Sequence, residues 1–265
     1  QNLKWETTEV FDLGLEFGLF GDRITGEFAY YRKDTRDVLM KVTLPRINGF
    51  TEYTDNVGSV LNYGVEAKLS TVNVSAANFS WRTDFNIAFN RNRIISLGGY
   101  SEDAVGGGTN DTRVVEGGSI GTFYMVPVAG IDSETGLPVY ITPEGGTTTT
   151  YSQDLRVPVG KGIPDAIGGL NNTFTYKNWT LSTLLVFSIG ADVYNHSGKY
   201  QQTAWANGGN FWNFTPQIYD RWVQPGDISK LPRLTLDRTT YSGLEVDYWN
   251  TSLWVEDASY LRVRN

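Results

Sequence analysis

The sequence holds one histidine, His196, and no cysteine in 265 residues. That removes thiolate zinc sites, iron–sulfur ligation, disulfides and cysteine nucleophiles together. A hydrolytic triad would have one imidazole to use as its base, and His196 follows Asn195 with no motif-linked serine or aspartate. It reads as an ordinary loop histidine. Asp132 and Glu134 could be taken for a catalytic carboxylate pair, but Thr135-Gly136 beside them is turn chemistry. Gly106-Gly107-Gly108 lacks both the strand–loop–helix setting and the lysine of a phosphate cradle. No catalytic constellation, metal-ligand set or cofactor motif emerges, so the chain is expected not to be an enzyme and to need no metal or cofactor.

The residues best suited to touch a ligand lie in one long loop: Trp205, Asn207, Asn210, Phe211, Trp212, Tyr219 and Trp222, with Asn213 and Phe214 among them. Aromatic faces beside asparagine side chains suit sugars, because C–H faces stack on rings while amides bond hydroxyls. The same rings could instead pack a large loop into a compact cap, burying apolar area at about 25 cal/mol per Å². Charge narrows the partners further. Lys+Arg number 22 and Asp+Glu 29, for a net charge of −7. With no basic run to offset it, nucleic acid is excluded as a partner.

The elements that must position this loop are strands. From Phe11 the odd positions read Phe11, Leu13, Leu15, Phe17, Leu19 against Asp12, Gly14, Glu16, Gly18. Gly21-Asp22 then predicts a two-residue hairpin turn into Ile24, Gly26, Phe28, Tyr30. A third run spans Tyr63 to Thr71. The fourth places Phe79, Trp81, Thr83, Phe85, Ile87 and Phe89 on one face, with Ser80, Arg82, Asp84, Asn86, Ala88 and Asn90 on the other. Thr173 to Tyr176 turns at Lys177-Asn178 into a sixth run from Trp179 to Ile189, and Ser259 to Asn265 forms a seventh with Tyr260, Arg262 and Arg264 on one face. Runs of about 10 to 13 residues, tilted as barrel strands are, cover an apolar band about 25 Å tall.

The connections alternate short and long: Gly21-Asp22, then Asp37 to Asn62; Val74 to Asn78, then Arg93 to Asn172; Lys177-Asn178, then Ala191 to Ala258. That is the outer-membrane arrangement of tight turns at one end and extended loops at the other. No stretch approaches the roughly 20 apolar residues of a spanning helix. Phe11, Phe20, Phe79 and Trp179 stand near strand ends, where aromatic girdles sit. The expected fold is all-β: an antiparallel transmembrane β-barrel segment of about seven strands, an incomplete barrel with long extracellular loops, in one domain over 1–265. A soluble or secreted β-sandwich carbohydrate-binding module, using the Trp205 to Trp222 rings, is the alternative.

Three blocks carry a family resemblance. Gln1-Asn2-Leu3-Lys4-Trp5-Glu6-Thr7-Thr8 resembles the "NPxLKWETT" block of SusC/RagA-like TonB-dependent outer-membrane transporters. Asn56 to Glu66, with Gly58, Asn62 and Gly64, is similar to that family's "NxGxxxNxGxE" strand entry. Ser252 to Asn265 resembles its "SxWxEDASYLRLRN" block, and Gly130 to Gly136 a turn common in its long loops. Arg221, Pro225, Gly226, Asp227, Pro232 and Arg233 also resemble a recurrent loop pattern. Trp5 and Trp254 are expected to fix strand entry near an interface, and Asn56, Gly58, Asn62 and Gly64 to shape backbone. The resemblance implies a C-terminal barrel fragment, with plug domain, TonB box, targeting signal and last strands lying elsewhere. It also implies a place in the Gram-negative outer membrane, import of oligosaccharide or peptide, and partnership with a SusD-like lipoprotein, with TonB and with the lipid bilayer.

Overall fold

The computed structural model describes residues 3–44, 49, 51–102, 104–105, 112–202, 213–234, 240–241, 244–245 and 250–264. Seven strands form one sheet: β1 (Thr7–Leu19), β2 (Ile24–Arg36), β3 (Ser59–Ala76), β4 (Phe79–Ser96), β5 (Ala166–Tyr176), β6 (Trp179–Ile189) and β7 (Tyr260–Val263). They lie side by side in chain order, every neighbour antiparallel.

The strands run further than the alternation that announces them. β3 and β4 are each 18 residues long, because pairing continues past the apolar rows into polar ones that periodicity cannot flag. β5 starts at Ala166 rather than Thr173. Gly168 and Gly169 interrupt its pattern, yet Gly168 is what lets the Phe187 ring from β6 lie across it: a Cβ there would stand 2.5 Å from the ring. Gly26 accommodates Phe17 in the same way on β2. The first turn takes four residues, Phe20 to Arg23, not two. Phe20, Gly21 and Asp22 all adopt left-handed φ values of 58°, 65° and 63°, which reverses the chain once pairing stops at Leu19 and Ile24. β7 is shorter than expected at four residues, and Asn265 lies outside the described residues.

Register converts seven separate alternations into two faces. Residues directly opposite share a face, so one row crosses the whole sheet as Leu15, Phe28, Ala67, Ile87, Gly168, Phe187, Leu261. The next row reads Phe17, Gly26, Leu69, Phe85, Leu170, Leu185, Val263. The row between them, on the other face, is Glu16, Glu27, Lys68, Asn86, Gly169, Val186, Arg262. A bulge at Val72/Val74 inserts an extra residue in β3, and this parity switch pairs Val74 with outward Trp81. Phe79, Tyr176 and Trp179 stand in register across three strands at the short-turn end, the position of a membrane girdle.

Three turns stand at that end. The opposite end carries the long connections, which hold most of the buried apolar side chains. Val42 in the hairpin Leu39–Thr43/Glu52–Asn56 and Val57 just after it pack with Leu97, Val105 and Val114, joined by Ile94 at the end of β4. A second cluster of Val126, Tyr140 and Tyr151 lies further along the same connection. These loops form a cap with its own core.

Candidate functional site

The inward face of the sheet is a hydrophilic wall. Lys68 meets Glu27 across β2 and β3 at 3.2 Å, Ser70 donates to Asp84 at 2.6 Å, and Tyr31 donates to Asn90 at 2.8 Å. Each of these contacts is partly exposed and worth little alone. Collectively they satisfy side chains that face water rather than lipid.

The motif residues hold the joint between wall and cap. Asn56 Oδ1 accepts from the Lys4 N–H at 2.7 Å, while Asn56 Nδ2 donates to the carbonyls of Lys4 and Asp37. Gly58 sits at φ 66° with the Ser96 carbonyl so close that a Cβ would stand 1.7 Å from its oxygen; only glycine fits. Asn62 accepts from Asn92 at 2.6 Å, and Asn92 Oδ1 in turn accepts the Ile120 N–H. Gly64 has the Phe89 carbonyl against it. These four therefore shape backbone, as expected. Trp5 is exposed, as a residue meeting an interface must be, whereas Trp254 is 1% exposed inside the cap. Its role is burial rather than interface contact, because the chain around it folds inward: Val255–Asp257 pairs with Asp192–Tyr194 and the Trp254 carbonyl accepts from Asn195 N–H. Asp257 closes the block by accepting from the hydroxyl and N–H of Ser259, and these bonds hold its carboxyl below the usual range.

Two long connections are knotted together by the Gly130 to Gly136 turn. Asp132 Oδ1 accepts from the Thr135 hydroxyl and N–H, both at 2.7 Å, and from the Glu134 N–H at 3.2 Å. The Thr135 bonds lower the Asp132 pKa. This pattern makes Asp132 a turn former and leaves Glu134 out of any paired-carboxylate geometry. Trp222 lies on the turn: its indole N–H donates to the Ser133 carbonyl at 2.8 Å, its ring covers Gly136, and the Arg233 guanidinium stands 5.1 Å from its centroid. Gly226 N–H also donates to Ser133 O, and Asp227 caps the Val223 and Gln224 N–H groups. The recurrent pattern from Arg221 to Arg233 is thus an interface between loops.

Of the ligand candidates, Trp205, Asn207, Asn210, Phe211 and Trp212 lie outside the described residues. Tyr219 is 79% exposed and offers an open ring, whereas Trp222 is 6% exposed and committed to packing. The structure does not bring these two into a shared pocket among the described residues. His196 stands at the start of a helical turn, α1 (His196–Gln201), with its ring 5.1 Å from that of Tyr200. Among the described residues no three acidic, histidine or cysteine side chains converge as a metal site. At the long-loop end of the wall, Asp165 binds Lys161 and Arg91, and Lys161 first, then Arg91, depresses its pKa.

Sequence reasoning missed a cleft of about 490 Å³ between Val128–Gly130, Ser229–Leu231 and Ser252–Trp254. Its walls come from three separate segments of the chain, so no periodicity or local motif could reveal it.

Comparison with known proteins agrees with this architecture. Residues 1–256 match the family described as TonB dependent receptor-like, beta-barrel. TonB-dependent receptor P26 of Formosa agariphila is 33% identical over 283 residues, covering 99% of this chain and 27% of that protein. TonB-dependent receptor SusC of Bacteroides thetaiotaomicron is 31% identical over 231 residues, 78% of this chain and 23% of SusC. The chain therefore spans about a quarter of the length of these relatives. Among solved structures, the RagAB peptide importer in its closed-closed state superposes with a TM-score of 0.80 at 26% identity, covering 99% of this chain and 28% of the other. From the two-faced sheet, the capped end and these matches, the chain belongs to the TonB-dependent receptor β-barrel family, a family of receptors and transporters of the SusC/RagA kind rather than of enzymes.

Proposed function

We propose that this chain forms part of the wall and the outer loops of a TonB-dependent importer in the Gram-negative outer membrane. The importer takes up oligosaccharides or peptides beneath a SusD-like surface lipoprotein. One observation carries the reading: register sets two central rows without a polar side chain on one side of seven strands and a row rich in charged and polar residues between them on the other, with the long connections at one end. Backbone in lipid must be satisfied within the sheet, and apolar side chains must face outward. A soluble sandwich would cover that outward face with a second sheet. Among the described residues the face is open, with Trp179 81% and Leu261 70% exposed.

In this reading residues 1–265 act as one barrel domain. TonB works through parts of the protein that the relatives possess beyond the matched quarter, and the lipoprotein closes on the cap. Tyr219, together with Trp205, Asn207, Asn210, Phe211 and Trp212, would contact substrate. The peptide class is supported by the likeness to the RagAB peptide transporter, and the oligosaccharide class rests on the motif resemblance alone. The test is uptake of fluorescent oligosaccharides and octapeptides by cells lacking the gene, and by cells lacking TonB, together with fractionation of the envelope. Loss of uptake of one class in both strains, with the protein in the outer-membrane fraction, is the expected result. A soluble protein, or uptake of both classes unchanged, would sink the proposal.

A further inference from the structure

The outward face of the sheet ends differently at its two edges. From Leu13 down to the short turns its strand rows carry no charged side chain. Leu13, Tyr30, Val65 and Phe89 form the uppermost of them, and Phe79, Tyr176 and Trp179 close the lower edge. One step toward the long loops, about 6.7 Å along the strands, the row reads Phe11, Arg32, Tyr63, Arg91. The next reads Glu9, Asp34, Leu61, Arg93, and Arg36 faces the same way two residues beyond Asp34. Register thus collects Arg32, Arg36, Arg91 and Arg93 against the strand carboxylates Glu9 and Asp34 at one edge of the lipid-facing surface, in a chain of net charge −7.

Part of this charge is already matched. Arg32 Nε holds Asp34 at 2.8 Å and Arg36 holds Glu9 at 3.2 Å. Arg91 Nη1 serves the Asn90 carbonyl and Asp165, whose carboxylate Lys161 also holds. Three donors have no acceptor among the described residues: the Nε and Nη2 side of Arg91, the Tyr63 hydroxyl and the Arg93 guanidinium, exposed beside Gly117. Tyr63 stands between Arg32 and Arg91 on strands about 4.8 Å apart, so an anion over its hydroxyl is within reach of both guanidinium groups. Phosphate oxygens suit the planar fork of arginine. A free anion would leave the apolar row beside the site unused, whereas a lipid uses both. Resting on the outer-membrane reading above, we infer that Tyr63, Arg91 and Arg93, with Arg32 across the strand, bind the phosphate of an outer-leaflet lipid whose chains lie along Leu13, Val65 and Phe89. The strand rows at the short-turn edge hold no outward arginine, so the site belongs to one leaflet.

The experiment uses the full-length protein purified in dodecyl maltoside, and fluorescence anisotropy of a labelled lipid A in mixed micelles. Two probes share the same acyl chains: one keeps both phosphates and the other has had them removed enzymatically. Wild type should bind the phosphorylated probe about tenfold more tightly than the other. Arg93→Gln, at an exposed and unpaired side chain, should remove about that factor, and Tyr63→Phe a smaller one. Neither should change binding of the dephosphorylated probe, and Arg262→Gln, on the inward face, should change neither probe. Equal binding of the two probes by wild type, or unaltered binding by either outward variant, would overturn the assignment. So would displacement by millimolar inorganic phosphate, which marks a free-anion site. Fractionation and uptake separate the two readings. If the protein sits in the outer membrane and imports, yet shows no preference for the phosphorylated probe, the importer stands and the lipid site does not.

Discussion

Leu15 on β1 and Leu97 in the cap are the same side chain in opposite surroundings: Leu15 is 62% exposed and Leu97 is 1% exposed. Around Leu97, valines and an isoleucine from two connections exclude water and form a core of ordinary soluble type. Around Leu15, the neighbours Phe28 and Phe17 are also apolar and also exposed, at 45% and 40%. One chain thus follows two burial rules, and the boundary between them is the line where the strands end. The cap is organised for water outside and hydrocarbon inside. The sheet reverses this, with its ladder bonds closed internally and its apolar rows turned toward a solvent that must itself be apolar. Hydrophobicity sets the direction of a side chain only once the surrounding medium is specified.

The largest expected break in this contrast is Trp254→Ala. Removing a fully buried indole should cost about 3–5 kcal/mol, and the loss should stay in the cap. Limited proteolysis would show faster cutting in the 97–165 and 190–259 connections, while the heat-modifiable gel shift of the assembled barrel persists. Loss of that gel shift would mean that cap and wall fold as one unit. Phe85→Arg is the mirror experiment: an outward charge in the middle of the band should cost about 2–4 kcal/mol and reduce the amount of assembled barrel. Asn86→Arg, one residue away on the inward face, should leave assembly near wild type. Equal losses from the two substitutions would show that the faces are not opposed.

The two regions also differ in how much of them can be read from residues alone. β1, β2, β4 and β6 are legible because strict alternation has one geometric meaning when every second residue must face lipid. β5 is half hidden by Gly168 and Gly169, whose purpose is visible only when the Phe187 ring arrives from the next strand. Asn56 and Gly58 can be named from motif resemblance, but their bonds to Lys4 and Asp37 and the press of Ser96 O are facts of three dimensions. The cap is nearly illegible. Its core residues stand at irregular intervals because irregular loops have no period, and Trp222, read as a possible ligand contact, is spent on the Gly136 turn. The cleft beside Val128–Ile131 depends on where Ser252 pins a strand 124 residues away.

The smallest expected effect concerns protons. The two central outward rows contain no ionisable group, so acid should leave that face unaltered. The cap holds Asp132, whose carboxyl is depressed first by the Thr135 hydroxyl and then by backbone N–H bonds. A depressed carboxylate stabilises the fold fully above its ordinary value of about 3.9, and that contribution disappears as pH falls through the lower folded value. Acidification below about pH 4 should therefore loosen the Asp132 to Gly136 turn, and with it the seat of Trp222, while the strands keep their protection. Hydrogen exchange of peptides covering 130–137, corrected for intrinsic rates, would show this as increased opening at low pH. Asp132→Asn should open the same peptides at neutral pH and remove their pH dependence, since the amide no longer titrates. If the wild-type turn opened no more at low pH than at neutral pH, the carboxylate would not be what holds the two loops together, and the bonds from Trp222, Gly226 and Arg233 to the turn's backbone carbonyls would have to carry the joint alone.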